Sequence, residues 1–404
     1  MVTADVKATP LLDLKPHPCP GMQVLDKGKF DLTITCRAVE VPAKRCTEIM
    51  KMLSPNNPLF SNLQHKPPVV QPCEFDITRR IILLGNEQSL PITIDDIIER
   101  TVDVKLSYKN WSASQIIRAI LPSSIEDTEV ISGFESVGHI AHLNLKECHE
   151  LYKSIIGQVI LDKNPYIKTV VNKLNTIHAE YRYFDMELLA GEDNFITTAI
   201  EHKFKYRMDF SKLYWNSRLG TEHRRIVDMI PTGSIVLDMF CGIGPFAIPL
   251  ARKKCHVHAN DLNPESYKYL LKNVELNRIS TQYITCYNQD GRELLRNFIS
   301  QIDYVVMNLP ASAYEFLDGF EGLYSDRQEE LKPPTVFCYH FADIESPVEN
   351  SIAAISKKLG CSIVPEEVHL VRKTAPKTLM TCVKFTVPKS VLYSERLSKR
   401  AKFC

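Results

Sequence analysis

The sequence predicts an α/β protein. Its C-terminal half reads as a doubly wound parallel sheet finished by an antiparallel hairpin, and two α+β segments precede it. Three observations predict this. From about residue 206 short strands alternate with helices, which implies βαβ units and a parallel sheet. The first four of those strands run into Asp238, Asn260-Asp261, Asp290 and Asn308, polar groups at the edge where such sheets hold ligands. The last two strands, 367–371 and 380–387, follow one another with no helix between them and therefore pair as a hairpin.

Taken in order, the first segment (1–110) offers strands at 30–36 and 80–84 and a helix at 43–53. A loop rich in proline and asparagine fills 54–71, and another helix is expected at 91–100. The middle segment (111–205) opens with a helix at 112–121. A turn at 133–138 then leads into an alternating strand, a helix at 146–159 and further strands. The third segment (206–404) has strands at 234–237, 256–260, 283–287, 303–307 and 335–341. Its clearest helix, 264–277, carries Tyr267, Leu270, Leu271, Val274 and Leu276 as an apolar stripe. No internal repeat is visible.

Composition narrows the classes. The 404 residues leave room for two or three domains. Hydrophobic residues at 44% and charged residues at 24% support real cores and exclude a disordered or collagen-like chain. With 49 Lys+Arg against 48 Asp+Glu the net charge is +1, so a nucleic-acid surface must come from local clustering. The longest apolar stretch, 234–251, contains Asp238, Gly242 and Gly244, and no segment reads as a membrane span. The twelve cysteines include no pair at two-residue spacing, which suits a reducing compartment better than a disulfide framework or a zinc ribbon. Cys255, His256 and His258 have metal-ligand chemistry, but their alternation in a β-like run reads as a buried strand, and no metal is expected. Asp5 and Asp13, with no apolar stretch, argue against a signal peptide, and no clear presequence is visible. The expected compartments are the cytoplasm and nucleus, with the mitochondrial matrix as the alternative.

The segment Asp238-Met239-Phe240-Cys241-Gly242-Ile243-Gly244-Pro245-Phe246-Ala247 joins the first strand of the sheet to its helix. Two glycines at spacing two let the backbone turn tightly and approach a ligand. The loop also fits a loose dinucleotide fingerprint, but Pro245 in the first helical turn has no N–H to offer a pyrophosphate. Asp238 sets a carboxylate where a cationic amino acid or a ribose would sit. A cofactor without phosphates, S-adenosylmethionine (AdoMet), fits both observations. Asp261-Leu262 ends the second strand, and a carboxylate there accepts hydrogen bonds from ribose hydroxyls. Asp290-Gly291 follows the third, where an acidic residue meets an adenine amino group. Each aspartate alone could merely cap a helix; all three at successive strand ends point to one ligand. The fourth strand ends Asn308-Leu309-Pro310-Ala311, and Ala311 cannot stack on a flipped base as the aromatic of amino-methylating enzymes does. Between 201 and 230, seven Lys/Arg stand against four acids and interleave with aromatics such as Tyr214 and Trp215. That pattern suits an RNA base and its phosphates; a solvated helix with a core Tyr/Trp pair is the alternative.

Ser217-Arg218-Leu219 with Thr221-Glu222, the 238–246 turn, 260–264 and Asn308-Leu309-Pro310 together resemble the archaeal/eukaryotic tRNA (guanine-N1-)-methyltransferase family. Tyr181-Arg182 and 133–145 resemble it too. The likeness runs over about 112–390, with 1–110 similar only in general arrangement. It implies a Rossmann-like AdoMet-dependent domain over 206–404, a tRNA-docking domain over 1–110 and an α+β RNA-binding domain over 111–205. It also implies a monomer that engages the anticodon loop and body of tRNA, away from membranes. The implied reaction methylates N1 of guanosine 37 and so protects the reading frame. Guanine N1 carries a proton that must leave before N1 attacks a methyl sulfonium, so a general base is needed. The resemblance assigns the base to Glu222, a contact to guanine O6 to Arg182, and an aromatic beside the flipped guanine to Tyr214. Arg218 joins Tyr214 as an RNA-binding residue. His223 stands where relatives often have arginine and would contact the cofactor, and Asn308 would orient cofactor or base. The cofactor set is then His223, Asp238, Gly242, Gly244, Asp261, Leu262, Asp290, Gly291 and Asn308. One rival is a wybutosine-pathway aminocarboxypropyl transferase on the same scaffold, which needs no N1 base. Others are a non-catalytic tRNA-binding protein and a nicotinamide oxidoreductase, the latter disfavoured by Pro245.

Overall fold

The computed structural model describes residues 14–53, 60–84, 96–131, 133–177, 184–298, 301–327 and 330–395. The chain divides into two compact units, Met1–Lys173 with Glu187–Asp193, and Leu174–Met186 with Asn194–Cys404.

In the first unit, Leu32–Pro42 (β1), Val70–Pro72 (β2), Arg79–Leu83 (β3) and Ile98–Leu106 (β4) form a sheet in the order β2-β3-β1-β4, with Cys46–Leu53 (α1) following β1. The helix expected at 91–100 is replaced, from Ile98 on, by strand β4; 91–95 lie outside the described residues. β4 pairs along β1 from Leu32↔Leu106 to Glu40↔Ile98, with Val104 and Leu106 turned inward. That long-range ladder outweighs local helical preference. Ala113–Ile120 (α2) starts at a capping box in which Ser112 and Gln115 bond each other's backbone N–H. Glu135–Val137 (β5), Ile140–Leu143 (β6), Thr169–Ile177 (β7) and Phe184–Gly191 (β8) make the second sheet, in that order. The helix expected at 146–159 begins instead as a 3-10 turn, Glu147–Tyr152, and continues as Lys153–Lys163 (α3). Residues from both sides of position 110 share one core: Phe30, Val104 and Leu106 pack with Trp111, Ile116, Ile156 and Val170. The Trp111 indole also donates to the Phe30 carbonyl at 2.8 Å. Residues 1–110 are therefore not a separately packed body.

The second unit opens with a hairpin of Ile196–Glu201 (β9) and Phe204–Asp209 (β10), so the boundary placed at 205/206 falls inside one ribbon. Gly220–Met229 (α4) follows. Then come Ile235–Asp238 (β11), Ala247–Arg252 (α5), His256–Asn260 (β12), Pro264–Leu276 (α6), Ile284–Tyr287 (β13), Gly291–Asn297 (α7) and Tyr304–Met307 (β14). Thr335–Asp343 (β15), Pro347–Leu359 (α8), Glu367–Ala375 (β16), Thr378–Thr386 (β17) and Lys389–Leu392 (α9) complete the unit. The sheet order is β13-β12-β11-β14-β15-β17-β16. β11 to β15 are parallel, and β17 pairs antiparallel with both β15 and β16, which is the expected terminal hairpin. The winding reverses between β11 and β14, a switch point of the kind where open α/β sheets hold ligands. No described helix is long and apolar enough to cross a membrane.

One local reading changes. Leu271 and Leu276 of the expected α6 stripe are each 44% exposed. The buried face of α6 is Ser266, Tyr269, Leu270, Asn273 and Val274. Its asparagines serve β10. Asn273 accepts from the Arg207 N–H (2.8 Å) and donates to the Arg207 carbonyl (3.0 Å), and Asn277 does the same for Lys205 at 2.9 and 2.7 Å. Around Cys255, which is fully buried, β12 runs as the expected strand, and His258 Nδ1 lies 3.0 Å from the Tyr287 hydroxyl.

Because the first core straddles position 110, deleting 1–110 should expose Trp111, Ile116 and Ile117 and drive the remainder into aggregates. A soluble, cooperatively melting product in a thermal-unfolding and light-scattering assay would show that the remainder packs without its partner.

Candidate active site

The site is built at the carboxyl ends of β11 to β14. Asn260, buried at the end of β12, holds three of these ends together. Its amide donates to the carbonyls of Met239 (3.1 Å) and Gln289 (3.0 Å), its oxygen accepts from the Gln289 N–H (3.2 Å), and its backbone carbonyl takes the Cys241 N–H (2.7 Å). The glycine turn is thereby fixed. Gly242 sits at φ 53° with nothing within 4 Å of where a Cβ would be, so its outer face is open. Gly244, at φ 98°, is packed against Leu270 and Ile248. Gly291 lets the α7 backbone close on Met239, whose Cγ a Cβ would meet at 2.6 Å.

Three predicted aspartates surround this turn in different ways. Asp261 accepts from the Gly242 N–H at 2.8 Å and the Asn263 N–H at 2.9 Å. Burial raises its pKa, against these amides and the Ser266 hydroxyl, which pull it down. A carboxylate offers about four acceptor positions, so capacity remains for ribose hydroxyls. Asp238 is fully buried; neither oxygen closes a hydrogen bond among the described residues, although the Phe240 and Ala247 amides lie nearby. Burial first, then the neighbouring Asp261 charge, pushes its pKa well above the usual carboxylate range. Asp290 caps α7, one oxygen accepting from the Arg292 N–H at 2.7 Å. Leu262 is 46% exposed beside Asp261, and the Asn308 side-chain oxygen is buried without a hydrogen-bond partner among the described residues. An open glycine face, a carboxylate with spare acceptor positions and orphaned buried acceptors fit a cofactor that brings hydroxyl and ammonium donors, as AdoMet does.

Glu222 lies in the first turn of α4, 5% exposed. Arg225 grips it with both arms, Nε to Oε2 at 2.7 Å and Nη2 to Oε1 at 2.8 Å, and the Tyr339 hydroxyl donates to Oε1 at 2.7 Å. Burial works against charge on Arg225, but the hydrogen bonds and charge of Glu222 outweigh it and raise its pKa. Burial, then Cys382 and Glu222, raises that of Tyr339 well above the phenol range. Tyr339 sits one step past the last β14–β15 pair, Met307↔Cys338, level with Asn308, and its ring lies 6.2 Å from Phe246 of the glycine turn. His223, next along α4, is buried, with Nδ1 2.8 Å from Glu201 and its ring edge-on to Phe246 at 4.7 Å. Tyr214 is 51% exposed, its hydroxyl accepting from Asn216 at 3.1 Å, whereas Trp215 is buried on Tyr206. The core aromatic pair is thus Tyr206/Trp215, while Tyr214 and Arg218 are each exposed. Tyr181 and Arg182 lie outside the described residues.

Residues 197–363 match the model of the TRM5/TYW2 methyltransferase domain, and 113–194 that of the TYW2 N-terminal domain. A Xenopus tropicalis protein named tRNA (guanine(37)-N(1))-methyltransferase is 39% identical over 94% of this chain and 81% of its own length. A Danio rerio protein of the same name is 39% identical over 95% of this chain and 86% of its own. The chain belongs to the TRM5/TYW2 methyltransferase family. The solved complex of aTrm5 and tRNALeu shares its fold, with TM-score 0.66 and 24% identity over 87% of this chain and 99% of that one.

The sequence alone singles out neither Tyr339 nor the pinning role of Asn260. Arg225, three residues after Glu222 on a helix, carried a signal in its spacing. Tyr339 carried none.

Two outcomes are expected. Asp261→Ala should weaken AdoMet binding by about 1–3 kcal/mol, measured by titration calorimetry; unchanged affinity would remove Asp261 from the site. Asp238→Asn should stabilise the unliganded protein. A raised carboxyl pKa means the native fold carries no cost below the unfolded pKa, a cost that grows as pH rises above it, and the full cost beyond the native pKa. The gain in Tm should therefore be present at neutral pH and above and vanish in acid, while AdoMet affinity falls.

Proposed function

We propose that this chain transfers a methyl group from AdoMet to N1 of guanosine 37 in tRNA, giving 1-methylguanosine. The observation that carries the reading is a buried carboxylate, Glu222, fixed through Tyr339 beside the glycine turn of a family methyltransferase domain. AdoMet, when bound, supplies the electrophilic methyl group. Gly242, Asp261, Asp238 and Asn308 hold it, with Leu262, Asp290, Gly291 and His223 around them. Glu222 takes the N1 proton as the nitrogen becomes nucleophilic. By family resemblance Arg182 balances the charge that grows on guanine O6, and Tyr214 with Arg218 engages the RNA. The names of the Xenopus and Danio relatives and the neighbouring complex with tRNALeu support tRNA as the partner. We assign a monomer working in the cytoplasm and nucleus, which suits the free thiol at every described cysteine.

Incubation with labelled AdoMet and unmodified tRNA, followed by nucleoside analysis, should yield 1-methylguanosine at position 37. An aminocarboxypropyl adduct, told apart by mass, would install the rival reaction instead. Glu222→Gln should cut single-turnover methylation roughly 100- to 10,000-fold with little change in AdoMet affinity, and near-normal turnover would refute the base.

A further inference from the structure

A base that collects a proton in every cycle must also lose it. Glu222 is almost closed to solvent, and four contacts surround its carboxylate. On Oε1 are Tyr339 and one arm of Arg225; on Oε2 are the other arm of Arg225 and, at 3.5 Å, the Nε2 of His369. Arg225 has no acceptor and cannot take the proton. Tyr339 is fully buried and already donates its hydrogen to Glu222. His369 differs on both counts. It is an imidazole, which accepts on one nitrogen and releases from the other near neutral pH, and its side chain is 38% exposed.

We propose that His369, on the terminal hairpin, is the proton outlet of the site. The inference rests on the reading of Glu222 as the base. The proton that leaves guanine N1 protonates Glu222. It then passes to the lone pair of His369 Nε2 in the tautomer that carries its hydrogen on Nδ1, the imidazolium so formed releases its Nδ1 proton to solvent or buffer, and rotation of the partly exposed ring with proton exchange in water restores the starting tautomer. Glu222 is again a carboxylate, and the net product of the relay is one proton in bulk water. The titratable groups around His369 are Glu222 and Arg225 from α4, Glu367 on its own strand (4.0 Å from Nδ1), Tyr339 from β15 and Cys382, its register partner on β17. Tyr339 and Cys382 are fully buried, with their pKa values raised, so they hold their protons and do not compete for the role.

The test compares first-turnover and steady-state methylation of tRNA by the full chain. His369→Gln should slow steady-state turnover about 10- to 100-fold, far more than the first turnover, and imidazole added to a weak buffer should restore the rate. A His369→Gln enzyme with parental turnover, or an equal loss in both phases without imidazole rescue, would overturn the outlet. Should Glu222→Gln keep its single-turnover rate, the base reading falls and the outlet falls with it. An inactive Glu222→Gln beside a fully parental His369→Gln would sink the outlet alone.

Discussion

One buried amide, that of Asn260, sets the spacing of the loops that make the site. It bonds the backbone after β11 and after β13 while its own carbonyl anchors Cys241. These groups come from three separate βα connections, and no regular ladder could satisfy them at the sheet's end. Satisfying them with one side chain makes the loops a single piece. The open face of Gly242 and the Asp261 carboxylate that accepts its N–H inherit their positions from it. A ligand therefore meets a surface already arranged, which is the condition for strong and selective polar contacts.

The two buried carboxylates near this piece are handled in opposite ways. Glu222 brings its counter-charge along, since Arg225 covers both oxygens and is itself steadied by Glu367 at 3.0 Å. Asp238 has no counter-charge among the described residues, and burial raises its pKa instead. The first arrangement holds an ion at a fixed place in a poorly hydrated setting. The second leaves a group whose environment improves when a cation arrives, so stability is withheld from the empty fold and becomes available on binding.

What could be read from the sequence was local. The five strands from 234 to 341, the glycine turn and the polar strand ends depend on residues a few positions apart, and each appears within one or two residues of its expected place. The larger failures hinge on partners far along the chain. β4 is a strand because β1 pairs with it. Position 110 is no boundary because the first core runs through it. The polar face of α6 answers to β10, 66 and 72 residues away, so reading its leucines as the buried stripe missed Asn273 and Asn277. Tyr339 reaches Glu222 across 117 residues. Glu222 could be singled out from its motif, but neither of its far partners could be.

The asparagine pair on α6 has a consequence for solubility. A two-stranded ribbon such as β9–β10 has two open edges, and an open edge is a template on which another chain can add a strand. On β10 the outward-facing N–H and C=O groups of Lys205 and Arg207 are each taken by a side-chain amide, which imitates the next strand without continuing the sheet. The helix thus acts as a terminator: it saturates the edge with groups that present no further edge of their own, and strand addition on that side is stopped after a single step.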